Sequence, residues 1–443
     1  MKKIIKKSIL SSILSILLIL SVFICVGCNA DQNEENTITY YHYEPRLSTV
    51  YSFIIEYNKK YSNKDYKINI VEFDDLEEMK SRLSTEIMAG KGPDIITLSE
   101  LEMLSSSAEK LMKQGVFANL DDIISNDSSE NKLELSDYNS DILDAGIYEG
   151  KRYYMPVVFE PQILLTSSQK FSKYLNNVEN NLTYENVIKL NSNILKDGTN
   201  NRLLSSLEDY KNIFLNCIDE HVDFYYKKCD FDSNNFIKSI ISLKELYNSN
   251  EKNGDEIMSM FSGLGQCELF ALCDEIALIE NDNDEPLITN VPNHDGMPTG
   301  VIMDAVFINN NSNNKQKALD FIKYALSEKV QSDYCGANIK NYEPGTTWGM
   351  GWEYPVNNQS YDNLISKAQE VKYIDSTTNI SKDNFIYAKD YIKNIKSFKL
   401  GGMYNYYNTE VIGEIVDKFL SGEINKDKFI NQLKSKTEIY LNE

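Results

Sequence analysis

The chain has 443 residues, 42% of them apolar, enough for two or three domains with sizeable cores. Its 66 Asp and Glu outnumber its 45 Lys and Arg, giving a formal charge of −21. That balance excludes nucleic acid and anionic membrane surfaces as partners of the body.

The first residues depart from it. Lys2, Lys3, Lys6 and Lys7 stand without any acid, and an uncharged apolar run follows from Ser8 to Gly27. This is the pattern of an export signal, although twenty residues at about 1.5 Å each also suffice for an uncleaved membrane anchor. Cys25-Val26-Gly27-Cys28 resembles the lipobox of bacterial lipoproteins, in which the chain is cut before a cysteine that takes a diacylglycerol. Cys25 departs from it, standing where the pattern usually has an aliphatic residue. The resemblance implies a signal peptide over 1–27, lipidation at Cys28 and a polar tether over 28–36. The only membrane contact expected is this lipid, on the outer face of the cell membrane. Without residues 1–27 the body carries 41 basic against 66 acidic residues, or −25. The remaining cysteines, Cys217, Cys229, Cys267, Cys273 and Cys335, are odd in number, so they cannot all pair within one chain. They are expected mostly as small buried hydrophobes; a Cys217–Cys229 or Cys267–Cys273 bridge stays open.

Thr37 to Tyr43 is β-branched and aromatic and predicts a strand; Leu47, Val50, Ile54, Tyr57 and Tyr61 then recur at helical spacing. Ile68 to Phe73 predicts a second strand. Asp74 or Asp75 can cap the next helix, which carries Leu76, Met79, Leu83 and Ile87 on one face. Gly90-Lys91-Gly92-Pro93 stops that helix, and Asp94 to Leu98 predicts a third strand. Strands alternating with helices argue for βαβ crossovers and a parallel sheet, whose ligands sit at the carboxyl ends of the strands. Further on, Ala318, Phe321, Ile322, Ala325, Leu326 and Val330 form one apolar stripe, and Val411, Ile412, Ile415, Val416, Phe419 and Leu420 another. Both are expected to face a core.

Met88-Ala89-Gly90-Lys91-Gly92-Pro93-Asp94-Ile95-Ile96 resembles the most characteristic stretch of the extracellular solute-binding proteins of ABC importers, in the sugar-binding group that includes maltose-binding proteins. Other segments follow in that family's order: Phe117 to Asp121, Gly150 to Pro156, Phe231 to Phe236, Gly300 to Ile308, Asn314 to Ile322, and Phe419 to Glu443. The resemblance implies an α/β, two-lobed fold, each lobe a mainly parallel sheet flanked by helices, joined by a hinge. Lobe one would be 37–157 with 298–347, and lobe two 158–297 with 348–443. It further implies a monomer, with a carbohydrate ligand and ABC permease subunits as partners. The composition, rich in Asn, Lys, Ile and Tyr, points to a Gram-positive host.

Catalytic signatures with the required spacing are missing from the sequence: there is no GxSxG, HExxH, Walker A or GxGxxG. Asp230, Asp232 and Asn234 imitate the start of a calcium loop, but Asn235 replaces its Gly and Ile241 its Glu, so Asp232 or Ser233 is expected as a helix cap. No enzyme, cofactor or metal is expected, although two carboxylates at the right distance would suffice for a glycosidase. A glycan-degrading lipoprotein and a ligand-free lipoprotein on the same fold are the alternatives. A pyranose needs flat aromatic faces and planar hydrogen-bonding groups. The positions the resemblance brings to the cleft are Tyr43, Glu44, Glu100, Phe159, Glu160, Asp304 and Tyr404. Trp348 and Trp352, flanked by glycines, are either stacking platforms or packing under a loop.

Overall fold

The computed structural model describes residues 37–44, 48–61, 67–174, 181–196, 201–204, 206–251, 258–259, 269–333, 353–368, 380–401 and 405–443. The signal and lipobox, Cys267, Cys335, Trp348, Trp352 and Tyr404 lie outside them.

The chain opens with β1 (Ile38–Tyr43), α1 (Thr49–Lys60), β2 (Ile68–Phe73), α2 (Leu76–Met88) and β3 (Ile95–Thr97). The caps are local: Ser48 accepts from the Tyr51 amide at the start of α1, and Asp75 from the Glu78 amide at the start of α2. β1 pairs in parallel with β2 and with β3, as the crossovers require. Two short helices follow, α3 (Leu98–Leu101) and α4 (Ala108–Lys113).

The chain then leaves through β4 (Tyr154–Ser167), buried along its whole length. It builds α5 (Leu207–Asp219), the hairpin strands β5 (Val222–Asp223) and β6 (Lys228–Cys229), and α6 (Asn234–Glu251). Ser206 and Asp209 form a reciprocal capping box on α5, and the Ser233 hydroxyl accepts from the Phe236 amide at the start of α6, the cap expected there. The return comprises β7 (Pro286–Asn290), β8 (Thr299–Ile308) and α7 (Lys315–Ala325). β9 (Tyr354–Pro355), β10 (Ser397–Leu400), α8 (Gly413–Leu420) and α9 (Lys426–Asn442) complete the labelled elements.

The central sheet has eight strands in the order β7-β4-β8-β3-β1-β2, with β9 on β4 and β10 on β8. It is mixed. Parallel pairing is confined to β2-β1-β3 and to β10 on β8, whereas β4, β7, β8, β9 and the β8–β3 edge run antiparallel. The reason is that β4 carries the chain out and β8 brings it back, so the two run in opposite directions along one ladder. A side chain at Gly300 would collide with the Phe398 ring, which is how β10 closes onto β8.

Two cores result. The first surrounds the sheet and includes Tyr40, Phe53, Ile95, Tyr154, Phe307 and Phe321, with the helical segments around Ile276, Leu364 and Ile392. The second is mainly helical and holds Phe214, Phe236, Ile240, Val416, Phe419 and Phe429. Both apolar stripes of the sequence are buried here, one in each core. β4 joins the cores: Ile163 and Leu165 face the first and Leu164 the second. Cys217 and Cys273 are buried, and Cys217 and Cys229 carry free thiols, so the bridge left open between these two does not form.

Candidate binding groove

The two cores meet along a groove. One wall comes from the segment after β3, Leu98, Leu101, Glu102 and Glu109; the other from Phe224 of the β5–β6 hairpin, Asn405, Tyr406, Tyr407 and Tyr440 of α9. The cavity between these walls measures about 120 Å³. Through Glu109 and Phe224 it continues into a space of about 610 Å³ that adds Tyr148, Glu220, His221, Asp223 and Asp230. Glu220, His221 and Asp230 lead in turn to another of about 610 Å³, with Gln162, His294, Thr299, Lys396 and Lys399 on its walls.

The second wall is aromatic. The Tyr407 ring lies 5.4 Å from Tyr440, the Tyr406 ring 6.3 Å from Tyr440 in a stacked arrangement, and Phe224 stands edge-on to Tyr407 at 5.2 Å. Tyr407 and Tyr440 are buried, and the Tyr407 and Thr437 hydroxyls share a hydrogen bond of 2.6 Å. Phe224 and Tyr406 are only half-buried, leaving surface for a flat apolar partner.

Acids stand on both walls. Burial holds the Glu109 carboxyl above its ordinary range, and the charges of Asp219 and Asp223 across the groove push it the same way. Burial also raises Asp219, which accepts a 2.9 Å hydrogen bond from Asn408, and Glu220, which accepts from the His294 amide at 3.2 Å.

Side chains of the two bodies clasp across one end. Tyr225, from the hairpin of the second body, is buried in the first core and stacks on Tyr148 at 5.2 Å. Its hydroxyl donates to Glu149 at 3.0 Å, and Glu149 pairs with Lys113 at 2.8 Å. The Lys113 ammonium lies 4.6 Å from the Tyr225 ring and 5.0 Å from Tyr226. Beside it the buried Lys110 donates to the Tyr440 carbonyl at 2.6 Å.

Those residues singled out from the sequence that the structure describes take other places. Glu100 lies under the groove wall: it accepts from the Tyr40 hydroxyl at 2.6 Å and from the Thr97 hydroxyl, and stands 3.5 Å from His42, itself stacked on Tyr51 at 3.6 Å. Asp304 is buried against the first turn of α1, accepting from the Val50 amide at 3.0 Å, and burial pushes its carboxyl up to about 8. Phe159 is packed among Tyr354, Tyr361 and Phe398. Glu160 is buried on the face of β4 that it shares with Gln162. Tyr43 packs against the first core and Glu44 is exposed at the end of β1. The described groove residues are their neighbours: Leu98, Leu101 and Glu102 flank Glu100, Gln162 follows Glu160, and Asn405 to Tyr407 follow Tyr404. Phe224, Glu109 and Tyr440 were missed; the sequence offers only an aromatic hairpin tip, Phe224-Tyr225-Tyr226, as a signal for one of them.

Residues 43–198 match the family described as bacterial extracellular solute-binding protein. No curated protein sequence matches the chain. Among solved structures, the sugar-binding protein MalE from Xanthomonas citri aligns with a TM-score of 0.57 at 11% identity, over 92% of this chain and 97% of its own. A periplasmic oligogalacturonide-binding protein from Yersinia enterocolitica aligns at 0.55 with 12% identity, over 91% and 98%. An ABC substrate-binding protein from Listeria monocytogenes, in complex with cycloalternan, aligns at 0.51 with 15% identity, over 92% and 98%. The fold of this chain is therefore that of the periplasmic-binding-protein-like substrate-binding proteins.

Proposed function

We propose that this chain is the substrate-binding component of an ABC importer, capturing an oligosaccharide outside the cell. The observation that carries the reading is the groove, which sets half-exposed aromatic rings, Phe224 and Tyr406, opposite carboxylates, Glu102 and Glu109. Rings take the CH faces of a pyranose and carboxylates its hydroxyls. The solute-binding family match over residues 43–198 and the sugar-binding neighbours of the same fold support it.

The lipobox-like stretch adds the finer statement that Cys28 anchors the protein by lipid and that permease subunits receive the closed complex. The moving bodies are the two lobes, 37–157 with 298–347 and 158–297 with 348–443, less the helical residues around Ile276, Leu364 and Ile392, which pack in the first core and move with it. The protein acts as a monomer, and its cycle is capture and hinge closure without bond chemistry.

A chain beginning at Asp31, which keeps every described residue, tests this by titration with a panel of oligosaccharides. Saturable one-site binding that Phe224→Ala and Tyr406→Ala each weaken by about tenfold or more supports the reading. A panel that yields neither heat nor thermal shift contradicts it, and release of reducing sugar identifies a glycosidase instead.

A further inference from the structure

We propose that the contacts around Tyr225 form a clasp that sets the resting orientation of the two bodies without help from a bound glycan, with Tyr225, Lys110 and Lys113 as positioning residues of the groove walls. Only the groove's purpose, and not the clasp itself, rests on the reading above. Two hairpin tips meet here, one from each body. Ile147–Tyr148 pairs antiparallel with Lys151–Arg152, and the turn between them holds Glu149 and Gly150 at φ of 49° and 75°, a tight reversal with Glu149 at its tip. Facing it, the loop between β5 and β6 carries Phe224, Tyr225 and Tyr226 and ends on Lys227, also at positive φ. A non-glycine residue in this left-handed region persists where its surroundings fix the backbone, so each tip is held in place.

Every contact across the tips comes from this chain's own side chains. Tyr225 is only 4% exposed, seated in the core of the opposite body, stacked on Tyr148 at 5.2 Å and donating to Glu149 at 3.0 Å. Lys113 pairs with Glu149 at 2.8 Å and lies 4.6 Å from the Tyr225 ring and 5.0 Å from that of Tyr226. One turn earlier on α4, the buried Lys110 donates to the Tyr440 carbonyl at 2.6 Å and lies 4.7 Å from the Tyr440 ring. The seated ring excludes water, and the ion pair and cation–π contacts fix its angle.

The same short elements carry the groove. Glu109 stands beside Lys110 on α4, Phe224 beside Tyr225 on the hairpin, and Tyr440 lines the cavity while its carbonyl takes the Lys110 ammonium. Neighbouring residues on each wall thus serve groove and clasp, so a shift in the clasp shifts the walls. The bodies are also joined by β4, a crossing strand that by itself permits hinge motion, and any such motion must break these contacts. Walls whose orientation is set beforehand spare a ligand part of the cost of ordering them.

Small-angle X-ray scattering of the chain from Asp31, with no glycan added, tests this. The unmodified protein should scatter as one arrangement of the two bodies. Tyr225→Ala, which empties the seat on Tyr148, should change the radius of gyration and widen the spread of interatomic distances. The Lys113→Met, Glu149→Gln double variant, at exposed positions that spare the fold, should do the same to a smaller extent. Tyr225→Phe, which keeps the stack, should match the unmodified protein. Far-UV circular dichroism, read with the scattering well below the thermal midpoint, reports that each variant is folded; a loss of stability alone leaves the scattering of a folded protein unchanged. Identical scattering from all four proteins, or an unmodified protein already spread over several orientations, would overturn the clasp whatever the glycan titrations give. If Tyr225→Ala does not fold, the double variant decides by the same criterion.

Discussion

The two walls of the groove are built on different principles. The first hangs from the ends of a βαβ sheet: Leu98 and Leu101 follow β3 directly, and a buried network of Tyr40, Glu100, Thr97 and His42 holds α3 from beneath. The second is assembled from a two-residue-stranded hairpin and helices, its rings supported by one another, by the hydroxyl pair between Tyr407 and Thr437, and by the Lys110 ammonium 4.7 Å from the Tyr440 ring. A wall of the first kind is fixed by long-range pairing, one of the second kind by side-chain packing. Substitutions in the second should therefore alter ligand fit before they alter the fold.

The largest expected effect sharpens that contrast. Phe307, fully buried where β8 meets β3, should cost about 3 to 5 kcal/mol on replacement by Ala, read by denaturant unfolding. Phe224→Ala, on the half-buried second wall, should cost under about 2 kcal/mol yet weaken ligand binding as described above. Equal losses of stability at the two sites would break the comparison.

The clasp at Tyr225 comes next. Tyr225→Ala removes a ring buried in the opposite body and should destabilise by about 3 kcal/mol, whereas Tyr225→Phe keeps the stack on Tyr148 and loses only the bond to Glu149, about 1 kcal/mol. If the Phe variant is as damaged as the Ala variant, the hydroxyl and not the ring holds the hairpin.

pH gives a smaller effect of fixed sign. Asp304, Glu109, Asp219 and Glu220 all lie above their ordinary range because burial disfavours their charged forms. The native state therefore holds protons that the unfolded state has released, and stability should fall as pH rises from about 4 toward 8. Asp304→Asn should flatten that slope, measured as the thermal midpoint across the range; an unchanged slope would place the effect in the groove acids. The smallest effect belongs to the exposed Glu414–Lys418 pair on α8, whose loss should shift the midpoint barely at all.

The sequence made the first wall's frame legible and the second wall's much less so. Periodicity, the caps at Asp75 and Ser233, and the Gly90–Pro93 turn are local signals, and the structure places strands and helices on them. Glu100 illustrates the limit. Its position after β3 was visible, but which residues of a one-turn helix face inward depends on Tyr40 and His42, which reach it across the sheet. Phe224, Tyr406 and Tyr440 converge from three segments far apart in sequence, and no local pattern encodes that meeting. The mixed character of the sheet was hidden for a related reason: strand direction between β4 and β8 is set by how the chain leaves one body and returns, not by the composition of either strand.

The account rests on the groove as the place where a carbohydrate binds, and calorimetric titration of the chain from Asp31 with glycans, beside its Phe224→Ala, Tyr406→Ala double variant, tests this directly. One-site saturable binding by the unmodified protein, lost in a double variant of unchanged fold, is the predicted result. Binding of equal strength in both proteins, or no binding across the panel, would contradict it.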